Sequence, residues 1–233
     1  YSLVTQVQGR GVYSFCMCPG GHIVPAGSAL NSCVVNGMSA SHRNSPFANS
    51  GMVVEIRPED LLQYPIGGTP SNSPQGVQYP QADLLAGLRF QQKLEQLAFA
   101  HGSAPSIAPA QRLRDFVEGR KSSTLPACSY LPGVRSSSMH EWLPEHIGKR
   151  LQQGFRDFDR KYRGFLTNEA VILGVESRSS SAVRIPRDPD TLQSISTPHL
   201  YPCGEGAGYA GGITSSALDG INVAIKIAEN IIR

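Results

Sequence analysis

A glycine-rich stretch near the end of the chain restricts the possible fold more than any other feature of the sequence. Residues 199–213 read HLYPCGEGAGYAGGI, and Gly206, Gly208 and Gly211 have the spacing G-x-G-x-x-G. This spacing is typical of dinucleotide-binding βαβ units, whose second strand ends in an acidic residue about 20 positions further on. Only one helical pattern follows here, over residues 213–233. The context therefore argues against a pyrophosphate-binding Rossmann unit and predicts a strand, a glycine turn and a final helix.

The predicted turn has the properties of a ligand site. Glycines at the end of a strand let a cofactor approach the backbone without contacts to Cβ atoms. The first turn of the next helix has unpaired N–H groups and a partial positive charge, which suit an anionic or electron-rich atom. Glu205, which lies between two glycines, is placed to accept hydrogen bonds from ligand hydroxyls. The alternative is a tightly packed turn that holds no ligand.

The rest of the chain alternates between strand and helix patterns. Runs of β-branched residues predict strands over residues 1–7, 51–56, 170–175, 182–185 and 199–203. Glycines and prolines predict turns within residues 9–27, and a linker rich in Pro, Gly and Ser is predicted over residues 64–81. Apolar residues at helical spacing predict helices over residues 83–102, 110–118, 144–164 and 214–232. The last helix has a broad apolar face, which predicts that one side is buried against a sheet.

The composition is that of a globular protein and argues against several classes. Hydrophobic residues make up 40% and charged residues 17% of the 233 residues, and the formal net charge is +3. The arginines are scattered, without the basic and aromatic surface of a nucleic-acid-binding protein. No stretch approaches the ~18 apolar residues of a membrane span, and no secretory signal is visible. Five cysteines at irregular spacing are a poor disulfide framework, so we expect a cytoplasmic protein.

Several motifs resemble those of a known protein family. TPHLYPCGEGAGYAGGITSSALDG is similar to the C-terminal flavin motif of proteins with a glutathione-reductase-like FAD domain. The wider sequence resembles the uncharacterised bacterial FAD-dependent dehydrogenases, over residues 9–27, 36–56, 174–188 and 201–213. The resemblance implies that the chain is the C-terminal part of an FAD-dependent oxidoreductase. It also implies that a Rossmann unit for the ADP half of FAD lies upstream of Tyr1, and that the chain alone is inactive.

The resemblance implies an FAD site at the glycine turn. Glu205 would accept a hydrogen bond from a ribityl hydroxyl, and the backbone N–H groups of Gly212 and Ile213 would face the O2/N1 edge of the flavin. Gly206 and Gly208 would let the turn lie close to the ring. The implied cofactor-binding set is completed by Gly204, Ala207, Gly211 and Arg178.

Cys16, Cys18 and His22 form a second candidate cluster. Structural zinc sites usually contain C-x₂₋₄-C pairs and need a fourth ligand, so we predict no metal site here. A redox role, with Cys16 or Cys18 facing the flavin, stays open because a thiolate can relay electrons to or from a flavin. Cys203, in a predicted strand, is expected to belong to the core.

The predicted architecture is α/β, or α+β if the chain is taken alone. Residues 1–170 would form a substrate-side domain, which is strand-rich over 1–60, a loop over 61–82 and helical over 83–170. Residues 171–233 would form the C-terminal part of an FAD/NAD(P)-binding domain.

The function implied by the resemblance is hydride or electron transfer between the flavin and a small-molecule substrate. NAD(P)H or another electron carrier would be a further partner, and neither nucleic acid nor a membrane is expected to bind. The alternatives are a non-enzymatic binding module that keeps the turn as a structural element, and a Cys/His metal-binding redox protein. The sequence singles out no catalytic acid or base.

Overall fold

The chain folds as a mixture of helices and sheets, which confirms the predicted fold class. A computed structural model describes residues 3–27, 29–61, 85–103 and 106–231. The predicted linker over residues 64–81 lies outside the described residues. The structure divides into two compact units, the first formed by residues 1–60 and 92–177 and the second by residues 61–91 and 178–233. The assignment of a substrate-side and a flavin-side domain stays a prediction.

The strands of the described residues all belong to the first unit. They are β1 (Val4–Val7), β2 (Arg10–Pro19), β3 (His22–Pro25), β4 (Val35–Met38), β5 (Ala48–Val54), β6 (Ala108–Arg112), β7 (Val134–Ser136) and β8 (Val171–Leu173). They form an antiparallel sheet in the order β1-β2-β5, an antiparallel pair β3-β4 and a sheet in the order β7-β6-β8. In the last sheet, β6 is parallel to β7 and antiparallel to β8.

The strand predictions are partly confirmed and partly wrong. β1 and β8 lie in predicted strand regions and β5 begins three residues before one, but residues 9–27 contain β2 and β3 and not only turns. β2 pairs with a neighbour on each side, and these hydrogen bonds outweigh the cost of about 0.5–1 kcal/mol for a glycine within a strand. Residues 182–185 and 199–203 are not strands. Their segment is interrupted by Pro186, Pro198 and Pro202, which cannot donate to a ladder.

The helices follow the predictions more closely. They are α1 (Ala86–Gly102), α2 (Leu113–Glu118), α3 (Met139–Trp142), α4 (Glu145–Lys161) and α5 (Ile213–Ile231), with a 3₁₀ turn over Pro58–Leu61. α2 begins three residues later than predicted because Ala110 pairs with Ser136 and Leu173 inside the sheet. It ends as predicted at Gly119, which has a left-handed φ of 69°. α3 is too short to show a helical period in the sequence.

The main core lies between the first sheet and the helices α2, α3 and α4. Phe155 and Phe158 of α4 are 3% and 1% exposed, so the predicted apolar face of this helix is confirmed. The helix lies very close to the sheet, because a Cβ atom on Gly154 would be 2.6 Å from Cγ1 of Val12. Thr5 Oγ1 of β1 also donates a hydrogen bond to Asp157 Oδ2 of α4, at 3.0 Å.

The apolar face of α5 is largely exposed, so the prediction of burial against a sheet is wrong for this chain. Leu218, Ile221 and Ile225 are 56%, 55% and 54% exposed. The physical reason is that the second unit contains no sheet among the described residues, so it has no surface of that kind to cover the helix. None of the described helices is both long enough and apolar enough to span a bilayer.

Candidate functional site

Residues 204–208 form a glycine turn that leads towards α5. The Gly208 N–H donates to the Glu205 carbonyl at 2.9 Å, and the Tyr209 N–H donates to the Gly204 carbonyl at 3.0 Å. Gly204 and Gly208 have φ values of 69° and 82°, which are accessible to glycine at little cost. The structure therefore brings together the residues that the sequence singles out over positions 204–213, although the strand predicted before them is not formed.

Two glycines of the turn have very different surroundings. A Cβ atom on Gly208 would lie 2.6 Å from the Val183 carbonyl oxygen and 3.0 Å from Cα of Arg184. A Cβ atom on Gly206 would meet nothing within 4 Å, and the neighbouring Glu205 is exposed. Gly208 is thus required by the packing of the protein itself. Gly206, in contrast, leaves an open stretch of backbone that a ligand can approach.

The beginning of α5 is partly capped by one of its own side chains. The Gly212 N–H donates to Ser215 Oγ at 3.1 Å, and that hydroxyl donates back to the Gly212 carbonyl at 3.0 Å. Ile213, the first residue of the helix, is 89% exposed. Of the two amides predicted to face a ligand, the Gly212 N–H therefore already has an acceptor. Ile213 is the more exposed of the two residues.

An ion pair connects the glycine turn with α5. The Arg187 guanidinium binds both carboxylate oxygens of Asp219, from Nη2 to Oδ1 at 2.7 Å and from Nη1 to Oδ2 at 3.0 Å. The Gly204 N–H donates to the same Oδ2 atom at 2.8 Å. The hydrogen bonds from Arg187 are the main cause that lowers the pKa of Asp219 from its ordinary value. Sequence reasoning missed both residues, although an aspartate within the apolar pattern of the final helix was a usable signal.

Two more side chains hold the turn from outside. Arg184 Nε donates to the Gly208 carbonyl at 2.9 Å, and its guanidinium lies 4.9 Å from the centre of the Tyr209 ring. The Tyr209 hydroxyl donates to the Ile185 carbonyl at 3.0 Å. Arg178, which the resemblance places near the cofactor, belongs to the same unit. Its role in cofactor binding stays a prediction.

Comparisons with known proteins relate the chain to flavoproteins. The model of a family described as "FAD-dependent protein, C-terminal domain-like" matches residues 1–179. The chain belongs to this family. An uncharacterised protein of Clostridium beijerinckii is 41% identical to this chain over 222 residues. The matched residues are 94% of this chain and 38% of that relative. The chain thus spans well under half of the relative's length, and the family match ends before the glycine turn.

No disulfide joins any of the five cysteines, all of which lie in the part of the chain that the structure describes. Cys16 and Cys18 are half-buried on β2, and their redox role stays a prediction. Within the described ranges, no three His, Cys, Asp or Glu side chains are grouped to hold a metal ion. Cys203 is exposed, so its predicted place in the core is wrong, because the strand that would have buried it is not formed. Burial raises the pKa of the Cys33 thiol to about 11, which keeps it protonated and unreactive.

Glu176 is a titratable group that the sequence patterns did not single out. Its carboxylate lies directly against the α-carbon of Gly51, in the space that a side chain on residue 51 would occupy. Burial raises the pKa of this carboxyl from its ordinary value. A carboxyl that keeps its proton at higher pH than other glutamates has the property of a general acid or base. Glu176 is therefore a half-buried carboxyl of the first unit whose protonated form is favoured by the fold.

Replacing Glu176 with glutamine should increase the free energy of unfolding at pH 8 but not at pH 4. Because the pKa is higher in the folded state than in the unfolded state, folding favours the protonated form. The stabilisation is complete below the unfolded pKa of about 4.3 and is lost as the pH rises through the folded pKa. The glutamine in Glu176→Gln cannot ionise, so this variant should not lose that stabilisation as the pH rises. Urea unfolding at several pH values measures this difference.

The exposed carboxyl of Glu169 provides the matched control. Glu169→Gln should leave the pH dependence of unfolding as it is in the parent protein. If Glu176→Gln loses as much stability as the parent between pH 4 and pH 8, the assignment of a raised pKa to Glu176 is wrong.

Proposed function

We propose that this chain is the C-terminal part of an oxidoreductase with a glutathione-reductase-like FAD domain, and that the glycine turn belongs to its flavin site. The observation that carries this proposal is the open turn, in which the unobstructed backbone at Gly206 and the exposed Glu205 precede the accessible start of α5 at Ile213. A flavin needs a close backbone approach for its ring, acceptors for its ribityl hydroxyls and positive potential near its O2/N1 edge. The turn offers all three.

The proposed roles follow the chemistry of each group. Glu205 accepts a hydrogen bond from a ribityl hydroxyl, and the Ile213 N–H at the start of α5 faces the O2/N1 edge of the ring. The Gly212 N–H would have to leave its acceptor, Ser215 Oγ, to contribute there. The helix dipole there stabilises negative charge on the cofactor. Bound FAD supplies the capacity to accept and donate a hydride or electrons, while the protein binds and orients it. We also assign Arg178, which belongs to the same unit as the turn, to the cofactor-binding set.

The exposed face of α5 supports the view that further chain completes this domain. Burying a Leu or Ile side chain stabilises a protein by about 1.5–3 kcal/mol, and Leu218, Ile221 and Ile225 on α5 are each more than half exposed. A sheet from an upstream Rossmann unit would cover this face. The Clostridium beijerinckii relative, of which this chain spans 38%, is long enough for such a unit. We call this chain together with that proposed unit the complete protein.

The first unit would then be the substrate side of the enzyme. We infer a small-molecule substrate, and NAD(P)H or another electron carrier as the redox partner. Glu176 is its candidate group for moving a proton to or from the substrate. We propose a cytoplasmic enzyme, because five cysteines at irregular spacing are a poor disulfide framework.

The visible spectrum of the purified complete protein tests the proposal, because bound flavin gives a yellow colour. Glu205→Ala should then weaken FAD binding by about ten- to a hundredfold, since a hydrogen bond to a charged group contributes about 1.5–3 kcal/mol. The dissociation constant can be measured by fluorescence titration of the apoprotein with FAD. Glu169→Ala, which removes another exposed carboxylate, should bind FAD as the parent does.

Two outcomes would contradict the proposal at different levels. If Glu205→Ala retains FAD through dialysis as well as the parent, the role of Glu205 is wrong. If the complete protein stays colourless after incubation with FAD, the flavin site itself is wrong and the non-enzymatic binding module is favoured.

A further inference from the structure

The ion pair between Arg187 and Asp219 has a geometry that determines where the glycine turn lies on α5. We propose that these two residues are positioning residues for the flavin, which act through the backbone of the turn without touching the cofactor. The inference rests on the proposed function. It concerns which side chains fix the position of the turn relative to the start of α5.

Asp219 joins the turn to the helix through a single carboxylate. Oδ2 accepts hydrogen bonds from the Gly204 N–H at 2.8 Å and from Arg187 Nη1 at 3.0 Å, while Oδ1 accepts one from Arg187 Nη2 at 2.7 Å. Gly204 begins the turn, and Asp219 lies six positions after the first residue of α5, or about 9 Å along the helix axis. The carboxylate therefore fixes the start of the turn relative to the second turn of the helix.

Arg187 contacts the chain on both sides of the turn. Its Nη1 donates to the Pro202 carbonyl at 2.8 Å, before the turn, and its guanidinium lies 3.7 Å from the centre of the Tyr209 ring, after it. The Arg187 backbone N–H also donates to the Tyr209 hydroxyl at 3.0 Å. The Arg187 side chain thus contacts the residues directly before and after the turn, and it contacts α5 through Asp219.

The burial of this pair indicates why ions are used here. The side chains of Arg187 and Asp219 are only 10% and 16% exposed. At a buried position, apolar residues of similar volume often stabilise a protein at least as much as an ion pair does. A two-nitrogen, two-oxygen contact instead imposes direction, because both hydrogen bonds must be aligned at once. Direction is what a flavin site requires, since small displacements of its amides change the electrostatic potential at the ring.

Arg187→Lys and Asp219→Asn in the complete, FAD-loaded protein test the inference. Arg187→Lys keeps the charge but removes the fork, and Asp219→Asn keeps an acceptor for the Gly204 N–H but removes the charge. Each should raise the FAD dissociation constant about tenfold and lower the midpoint potential of the bound flavin. The double variant should have an FAD dissociation constant no higher than that of the single variant with the lower affinity, because both changes remove one shared contact.

Arg10→Lys is the matched control. Arg10 is also an arginine with an 8% exposed side chain, and it is paired with Glu59 and Asp60 in the first unit. Its replacement should leave the FAD dissociation constant and the flavin potential as in the parent. Tyr209→Phe is a milder change of the same contact network and should weaken FAD binding about threefold, even if the charge variants fail to fold.

The outcomes separate this inference from the proposed function. Suppose that the parent is yellow and that Arg187→Lys, Asp219→Asn and Tyr209→Phe bind FAD within twofold of it with an unchanged flavin potential. The positioning role is then wrong and the pair is only structural. The same conclusion follows if the variants lose thermal stability without a change in potential. A parent that binds no FAD contradicts the proposed function, and the positioning role fails with it.

Discussion

Replacing Gly208 with alanine is expected to weaken FAD binding by the complete protein about a hundredfold. Gly208 has a φ of 82°, a conformation that costs an alanine about 1–3 kcal/mol. The added Cβ atom would also lie 2.6 Å from the Val183 carbonyl oxygen, so the backbone of the turn must move. A hundredfold change corresponds to about 2.8 kcal/mol, which these two effects together supply. Fluorescence titration of the apoprotein with FAD measures the change.

Gly206→Ala is the natural comparison, because it makes the same chemical change where a Cβ atom meets nothing within 4 Å. The thermal unfolding of the apoprotein should shift downwards in Gly208→Ala and stay unchanged in Gly206→Ala. Any loss of FAD affinity in Gly206→Ala then reports the approach of the cofactor itself. A Gly208→Ala protein that binds FAD as tightly as the parent would show that this turn does not determine the site.

The second large effect concerns the core, where Phe116→Ala should reduce the free energy of unfolding by about 3–5 kcal/mol. Phe116 is 0% exposed, and its ring meets the Phe155 ring edge-on at a centroid distance of 6.1 Å. The substitution removes this contact and leaves a cavity between α2 and α4. Urea unfolding of the protein, followed by far-ultraviolet circular dichroism, measures the loss.

Leu131→Ala is a suitable control for the core variant. Leu131 is 92% exposed, so its truncation should change the free energy of unfolding by no more than about 0.5 kcal/mol. If Phe116→Ala lowers the free energy of unfolding by less than about 1 kcal/mol, the packing of this core is looser than the structure indicates.

The parts of the fold that depend on local chemistry could be predicted from the sequence. α4 was predictable because its buried phenylalanines recur at helical spacing, Pro144 precedes its first residue and Gly164 follows shortly after its last. The left-handed Gly119 likewise ends α2 where the pattern indicates. The strands predicted over residues 182–185 and 199–203 failed because a strand needs a partner, and β propensity contains no information about the partner. The core position predicted for Cys203 depended on one of these strands and failed with it.

The candidate site shows the same division. The glycine turn could be predicted, because left-handed backbone conformations select glycine at each position independently. The contact between Arg187 and Asp219 could not, because 32 positions separate the two residues and an aspartate in the apolar pattern of α5 does not indicate which residue pairs with it. The raised pKa of Glu176 depends on burial by the tertiary fold, which composition and periodicity do not describe.

The cover that α4 provides for the first sheet has a consequence for synthesis on the ribosome. β5 is complete at Val54, but Phe155 and Phe158, which cover the sheet, are made about 100 residues later. At translation rates of about 5–20 residues per second, the apolar face of the sheet remains without its helix for about 5–20 s. During that interval the apolar face of the sheet is exposed to solvent, so we expect the nascent chain to be most prone to aggregation before α4 is synthesised.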